Sequence, residues 1–188
     1  MENSSHFQIN DYLKPGRHAH LVGIGGVSMR PLGLVLRSMG MQISGSDMNA
    51  SVSTDELMAK GIAVSIGHRA ENIEGADCVI RTAAANNDNP EIAAARAAGI
   101  PIFERAQAWG YIMKAYRHAI CVSGTHGKTT TTSMLTQIFM EAGKDPTVMI
   151  GGSLPLLGAG HRVGQGDTII LESCEYCNSF LNFFPTTA

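Results

Sequence analysis

The stretch HAICVSGTHGKTTTTSMLTQ, residues 118–137, decides the fold of the second half of this chain. Its apolar start predicts a strand, which breaks into glycines and leads into a helical pattern. Gly127-Lys128-Thr129 ends the phosphate-loop pattern G-x-x-x-x-G-K-[ST], but Val122 stands where that pattern has its first glycine. The first glycine is instead Gly124. The stretch therefore predicts a shortened phosphate-binding loop within a parallel α/β unit.

The residue types around this loop predict its chemistry. Lys128 would reach the β- and γ-phosphates of a nucleotide, and the Thr129 hydroxyl would bind Mg²⁺. Glu172 ends the apolar run DTIILES (167–173), at the edge of a parallel sheet where ligands gather. A carboxylate there can hold Mg²⁺ directly or through water. Glu175 is a more distant candidate for the same role.

A second glycine turn occurs early in the chain, at the end of HAHLVGIGG (18–26). Glycines between a strand and a helix are typical of a site that holds phosphate at the helix N-terminus. Asp47 follows Gly23 by 24 residues, where an acidic residue often binds a ribose hydroxyl. Ser28 stands where the dinucleotide fingerprint has Gly or Ala. A nicotinamide cofactor and a nucleotide-activated sugar both remain open as the ligand.

Strand patterns alternate with helix patterns along the chain, which predicts parallel β-α-β units. We place a domain boundary near residues 115–118, giving a first domain over 1–116 and a second over 117–188. The second has three predicted strands, one helix and a glycine-rich turn to about residue 166, few for a phosphate-binding domain. The predicted strands are 18–26, 41–47, 62–67, 76–84, 100–103, 118–122, 146–152 and 167–173, and the predicted helices are 28–39, 51–61, 89–99, 105–117 and 128–142.

The composition excludes several classes of protein. Apolar residues make up 44% of the 188 residues and charged residues 16%, so we expect a folded core. The net charge of −2, without a basic run, argues against nucleic acid and membrane partners. No signal pattern or long apolar run is present, so we expect a soluble, cytoplasmic protein. We interpret all four cysteines as ordinary thiols, including the C-x-x-C pair Cys174 and Cys177.

Taken together, the motifs HLVGIGGVSM, ISGSD, NPEIAAARAAGIPIFERA, GTHGKTTTTSML and ESCEYCNSFL resemble the Mur ligase family from about residue 18 to the last residue. The resemblance implies an α/β fold: a Rossmann-like, parallel-sheet N-terminal domain that binds a UDP-sugar, followed by a truncated P-loop-type α/β ATPase domain. It also implies ATP-dependent ligation of L-alanine to UDP-N-acetylmuramate through an acyl phosphate, in peptidoglycan precursor synthesis.

The resemblance assigns roles to particular positions. Lys128 and Glu172 would be catalytic, and Thr129 and Glu172 would share Mg²⁺. The ATP phosphates would contact Gly124, Thr125, His126, Gly127, Lys128, Thr129 and Thr130. The UDP-sugar would contact Gly25, Gly26, Val27, Ser46, Asp47, Thr82 and Ala83.

Three positions depart from the family pattern as we expect it. Arg30 replaces a small residue, and we expect it either to crowd the sugar nucleotide or to contact a phosphate. Thr82-Ala83 replaces a serine pair, and ESCEYCNS (172–179) replaces an acidic version. The family's enzymes also continue well beyond 188 residues, so we expect an N-terminal fragment without full activity.

Other functions stay open at this point. One is a related ligase that attaches a preformed peptide to the same sugar nucleotide. A second is a non-catalytic module that binds UDP-sugar or ATP, and a third is a nicotinamide-dependent oxidoreductase. Phe183 and Phe184 near the end of the chain need a packing partner, and a homodimer is one way to supply it.

Overall fold

The computed structural model describes residues 7–173 and 180–188. It is an α/β protein with two sheets, which confirms the predicted fold class. The strands are β1 His18–Val22, β2 Gln42–Asp47, β3 Ala63–Ile66, β4 Cys78–Arg81, β5 Ile102–Glu104, β6 His118–Val122, β7 Thr147–Leu154, β8 Ala159–Arg162 and β9 Thr168–Glu172. The helices are α1 Met29–Ser38, α2 Val52–Ala59, α3 Pro90–Ala97, α4 Arg105–Met113 and α5 Lys128–Glu141.

The first sheet is parallel throughout and has the strand order β3-β2-β1-β4-β5. Its two faces are covered by different helices: Leu32 of α1 and Trp109 of α4 are buried in the cluster on one face, and Ile92 of α3 in the cluster on the other. The strand order reverses between β1 and β4. Ligands of open parallel sheets bind at such a reversal, beyond the carboxyl ends of the strands.

The second sheet has the order β6-β9-β7-β8, and its last strand corrects the sequence analysis. Residues 159–162 lie within the predicted glycine-rich turn, but they form β8, antiparallel to β7. Gly160 faces the backbone of Gly152 so closely that no side chain fits there, and Gly158 takes a positive φ of 62° at the reversal. The glycines that suggested a turn are therefore needed for close strand pairing.

The two sheets share a hydrophobic core. Met149 and Leu171 of the second sheet belong to the same buried cluster as Leu21 and Trp109 of the first. The other face of the second sheet packs against α5, through Leu135 and Phe139 among others. The structure therefore joins the two predicted domains through apolar contacts, while the boundary at 116/117 stays a prediction.

The C-terminal residues lie against both halves of the chain. The carbonyl oxygen of Asn182 approaches Gly110 of α4 closely enough to leave no room for a side chain on that glycine. Further on, Thr187 accepts a hydrogen bond from the Cys121 amide at 3.0 Å and forms a bridge beside β6. α4 itself ends at Met113 rather than at the predicted residue 117.

The described cysteines fit the prediction of ordinary thiols. Cys78 and Cys121 are free and buried, and burial raises the pKa of these thiols to about 12 and about 11. Such thiols stay protonated and unreactive near neutral pH. Cys174 and Cys177 lie outside the described residues, as does Glu175. Over residues 7–173 and 180–188, no helix has the length and apolar character needed to cross a membrane.

Gly45 of β2 gives a first test of this fold. A Cβ at this position would lie 2.6 Å from Ile24 Cδ1 and 2.7 Å from the Leu21 carbonyl oxygen. We expect Gly45→Ala to lower the free energy of unfolding by about 1–3 kcal/mol through overpacking, measured by urea denaturation. Gly33→Ala is the control, because its Cβ would meet only side-chain atoms, the nearest at 3.3 Å, within helix α1. A clearly smaller change is expected there, because a side-chain atom can move by a few tenths of an ångström and a carbonyl oxygen of the sheet cannot. Equal effects of both changes would contradict the packing described.

His161 of β8 gives a pH-dependent test. Burial, with the nearby charges of Arg30 and Lys60, lowers the pKa of His161 to about 4, against a smaller opposing effect of Glu56. The unfolded chain takes up a proton near its ordinary pKa of about 6.5, which the folded chain does not. The free energy of unfolding should therefore fall as the pH drops from about 6.5 towards 4, by no more than about 3 kcal/mol.

The variant His161→Gln isolates this effect. It should flatten the dependence of the unfolding free energy on pH over that window, measured by denaturant titration at a series of pH values. His118→Gln is the control, because the His118 side chain is 53% exposed. An unchanged slope in His161→Gln would show that another group causes the acid destabilisation.

Candidate nucleotide-binding site

The predicted phosphate loop joins β6 to α5. Gly124 and Gly127 have φ angles of 146° and 77°, in the region that favours glycine, and Gly127 immediately precedes the helix. The loop therefore bends tightly and exposes the N-terminal end of a 14-residue helix, which attracts anions. Lys128 Nζ donates a hydrogen bond to the Gly124 carbonyl at 2.5 Å, which holds the ammonium group over the loop. Thr125, His126, Thr129 and Thr130 are exposed beside it.

Thr129 and Glu172 meet at the base of this loop. The Thr129 hydroxyl lies 3.0 Å from Glu172 Oε1 and 3.2 Å from Oε2. The Gly151 amide of β7 donates to Glu172 Oε2 at 2.7 Å, which orients the carboxylate. Oxygen atoms of hydroxyl and carboxylate groups are ligands that Mg²⁺ accepts. Thr129 and Glu172 are therefore the residues at the base of this loop that could hold Mg²⁺, and in this structure they are hydrogen-bonded to each other.

The first glycine turn is held by the end of β2. The amides of Gly23 and Ile24 both donate to the Ser46 carbonyl, at 2.8 and 2.9 Å. The Gly25 amide donates to Asp47 Oδ2 at 2.9 Å. Asp47 was predicted to bind a ligand hydroxyl, and one of its oxygens is used to fix the turn. Its Oδ1 has a long contact of 3.5 Å to the Asn49 amide.

Ser28 has a structural role that explains its place in the turn. The indole nitrogen of the buried Trp109 lies 3.1 Å from the Ser28 hydroxyl and 3.3 Å from its carbonyl oxygen. The dinucleotide fingerprint has glycine or alanine here so that helix and strand can pack closely. In this chain the position instead supplies a partner for a tryptophan N–H.

Two cavities lie along this edge of the molecule. The strand-end cavity, about 650 Å³, lies beyond β1, β2 and β4 and includes Asp47, His68 and Asn89 in its lining. The inter-sheet cavity, about 350 Å³, lies between the glycine turn and the phosphate loop and includes Arg105, Lys128 and Glu172. Gly26 and Thr82 line both cavities. The two cavities are therefore neighbours, and a ligand that occupied both would extend from the first sheet towards Lys128.

The residues predicted to bind the UDP-sugar do not all line one cavity. Val27 lines the inter-sheet cavity and is 61% exposed. The Gly25 amide is held by Asp47 within the turn, and the Ser46 carbonyl accepts hydrogen bonds from the turn. The Ser46 side chain is buried and donates to Glu91 at 2.6 Å. Ala83 is exposed and lines neither cavity, although Ala84 and Ala85 line the strand-end cavity.

Arg30 does not extend into either cavity. Its Nη1 donates to Glu56 Oε2 of α2 at 2.7 Å, and its side chain is 17% exposed. The two expectations from the sequence, that it crowds the ligand or contacts a phosphate, stay predictions. The residue instead joins α1 to α2.

Arg105 is a candidate that the sequence analysis missed. It is the first residue of α4, directly after β5, and its side chain lines the inter-sheet cavity from the first sheet. Its guanidinium makes no hydrogen bond or ion pair with the part of the chain that the structure describes. Its position directly after the predicted strand IPIF (100–103) was a usable signal that the sequence analysis did not use.

Comparison with known proteins identifies the family. Residues 18–117 match the Mur ligase family, catalytic domain. The chain belongs to the Mur ligase family. It is 47% identical over 176 residues to a UDP-N-acetylmuramate–L-alanine ligase of Clostridium botulinum, a match that covers 93% of this chain and 38% of that protein. The chain thus spans well under half the length of this curated relative.

Solved structures agree with this assignment. The UDP-N-acetylmuramate–alanine ligase of Thermotoga maritima is 34% identical with a TM-score of 0.77, covering 82% of this chain and 36% of that one. The UDP-N-acetylmuramate:L-alanyl-γ-D-glutamyl-meso-diaminopimelate ligase of Neisseria meningitides is 27% identical with a TM-score of 0.84, covering 92% and 59%. The resemblance inferred from the motifs is thereby confirmed at the level of the family.

The Asp47–Gly25 hydrogen bond can be tested without a ligand. Asp47→Ala leaves the Gly25 amide without its acceptor, so we expect faster hydrogen exchange at that amide and a loss of roughly 1–2 kcal/mol in stability. Asp47→Asn keeps an oxygen that can accept this bond and should restore most of the protection. NMR-detected exchange measures both. Equal protection in wild type and Asp47→Ala would contradict the role described.

Proposed function

We propose that this chain is the N-terminal portion of a ligase that joins L-alanine to the lactyl carboxylate of UDP-N-acetylmuramate, using ATP and Mg²⁺. The observation that carries the proposal is the pair of cavities that share Gly26 and Thr82 and lead from the first glycine turn to the phosphate loop. The 47% identity to a ligase of that name supports it.

The proposed sugar-nucleotide site is the strand-end cavity. Its volume suits a nucleotide, and its lining offers the Asp47 carboxylate and the Asn89 amide group beside the glycine turn. The backbone at Gly26 and Val27 opens α1, whose N-terminus favours the diphosphate. The sugar would then extend past Thr82 into the inter-sheet cavity. This orientation brings its carboxylate to the side of Lys128 and Glu172.

The proposed ATP site is the loop over residues 124–130. Bound ATP supplies the phosphoryl group that activates the carboxylate as an acyl phosphate, from which the amine of L-alanine displaces phosphate, and bound Mg²⁺ neutralises phosphate charge. Lys128 would place a positive charge next to the transferring phosphoryl oxygens, where preorganised charge stabilises the transition state. Thr129 and Glu172 would hold the metal. Arg105 faces the same cavity from the first sheet and would bind the substrate's carboxylate or diphosphate.

The preformed-peptide ligase remains a second candidate. The Neisseria structure named for that activity has the higher TM-score, 0.84 against 0.77, so backbone shape does not separate the two. Sequence identity favours the alanine ligase, at 47% and 34% against 27%. The acceptor amine is what distinguishes them, and a test must offer both L-alanine and the tripeptide.

We also propose that further chain completes the second domain. Met134 and Ile138 lie four residues apart on α5, and their side chains are 55% and 61% exposed. Apolar side chains at that spacing form a stripe on one face of a helix. We expect the remainder of the ligase to cover this stripe. The 188 residues alone would then bind the sugar nucleotide without catalysing the full reaction.

The first experiment is calorimetric titration of this chain with UDP-N-acetylmuramate, with NADH and Mg-ATP as separate titrants. Saturable binding of the sugar nucleotide is the expected result. Binding of NADH with no response to the sugar nucleotide would instead indicate an oxidoreductase. Binding of the sugar nucleotide, with no ADP formed by the full-length protein from ATP and either acceptor, would indicate a non-catalytic module.

Lys128→Ala tests the proposed role of the loop. In the full-length protein we expect ADP formation to fall by about 10²–10³-fold, since a charge at the transition state is lost, while the Kd for UDP-N-acetylmuramate stays unchanged. Lys144→Ala is the matched control, because Lys144 is exposed beyond the other end of α5. Full turnover by Lys128→Ala would contradict the assignment of this loop to ATP.

A further inference from the structure

The first turn of α3 contains a carboxylate that is completely buried. Glu91 is 0% exposed, and the sequence analysis assigned it no role. Asn89 caps the helix by accepting hydrogen bonds from the Glu91 and Ile92 amides, at 2.9 and 3.4 Å. A carboxylate in the first turn is also favoured by the helix dipole. A buried charge is costly unless it is paired and hydrogen-bonded, so the groups around Glu91 determine whether it is stable there.

Two strands of the first sheet and two residues that follow β3 surround this carboxylate. Glu91 Oε2 accepts a hydrogen bond from the Ser46 hydroxyl of β2 at 2.6 Å and lies 3.3 Å from His68 Nδ1, after β3. Glu91 Oε1 accepts from the Asn72 side chain at 2.5 Å. His20 Nε2 of β1 lies 3.7 Å from Oε2, beyond hydrogen-bond distance. The Glu91 side chain thus connects segments that lie around the strand-end cavity.

The carboxylate stays charged in this setting. Burial raises the pKa of Glu91, but the neighbouring His20, Ser46 and Asn72 outweigh burial and lower it to about 2. Glu91 is therefore an anion near neutral pH. Its acceptor role towards Ser46 and Asn72 is constant.

The network also determines how His68 is oriented. Ser46 donates its hydroxyl proton to Glu91, so its oxygen is left to accept from His68 Nδ1, which lies 3.0 Å away. Both groups close to Nδ1 are then acceptors, and Nδ1 must carry a proton. Nε2 is the ring nitrogen that remains for other contacts. The His68 side chain lines the strand-end cavity and is 13% exposed.

We infer that Glu91 is a positioning residue for the nucleoside diphosphate: through Ser46 and His68 it sets the floor of the strand-end cavity and presents the His68 ring to the bound nucleotide. The inference rests on the proposed sugar-nucleotide site. Ser46 is adjacent to Asp47 and its carbonyl holds the glycine turn, so a shift at Ser46 reaches the turn as well. Glu91 itself does not line either cavity.

The test is the affinity of this chain for UDP, measured by calorimetry. Glu91→Gln keeps the size of the side chain but replaces one acceptor oxygen with an NH₂ donor, which opposes the donors around it. We expect the Kd for UDP to rise at least tenfold, with an unchanged Kd for Mg-ATP if the wild-type chain binds it. Glu74→Gln is the control. Glu74 is an exposed acid in the segment between β3 and β4, so its replacement should leave the Kd for UDP unchanged.

A double-mutant cycle separates positioning from a purely structural role. If Glu91 acts partly through His68, Glu91→Gln should raise the Kd for UDP by a clearly smaller factor in a His68→Ala background than in the wild-type background, the remainder being the effect through Ser46 on the glycine turn. An equal effect in both backgrounds, or a Glu91→Gln chain that binds UDP like wild type, would overturn the inference. If Glu91→Gln does not fold, Ser46→Ala replaces it, since it removes the same link without burying a new donor. Wild-type chain that binds neither UDP nor UDP-N-acetylmuramate would overturn the proposed function itself.

Discussion

The two hydrogen bonds at the Ser46 carbonyl are the constraint on which the first half of the site depends. They join the start of the glycine turn to the end of β2, and the Asp47 carboxylate beside them fixes the next amide of the turn. A glycine-rich turn has little stability of its own, because glycine loses more conformational freedom on folding than any other residue. The neighbouring strand supplies what the turn lacks. Residues that hold the end of β2 therefore also act on the turn.

The same arrangement occurs in the second half with other residues. Glu172, at the end of β9, holds the Thr129 hydroxyl of the phosphate loop and the Gly151 amide of β7. In both sheets a carboxylate or carbonyl at a strand end orients the loop that follows the neighbouring strand. The two loops then line one inter-sheet cavity because the sheets share a hydrophobic core.

The parts of this structure that the sequence predicted are those with local signals. Strand-glycine-helix patterns located both loops, and the position of Glu172 at a strand end indicated its contact with Thr129. The strand β8 was not predicted, because its residues AGHR show no apolar alternation and its glycines are required by a partner strand distant in the chain. Arg105 and Glu91 were not identified from the sequence for the same reason. A first-turn acid and a first-turn arginine look ordinary in sequence, and only the tertiary fold buries one and places the other in a cavity.

The contact between Trp109 and Ser28 has a practical consequence. Trp109 is the single tryptophan of the chain, is fully buried, and has its indole nitrogen within hydrogen-bond distance of Ser28, the residue immediately before helix α1. Its fluorescence emission is sensitive to that local environment and comes from one position only. The chain therefore contains an intrinsic optical probe of its first glycine turn, and rearrangement of that turn can be followed in real time without attaching a label.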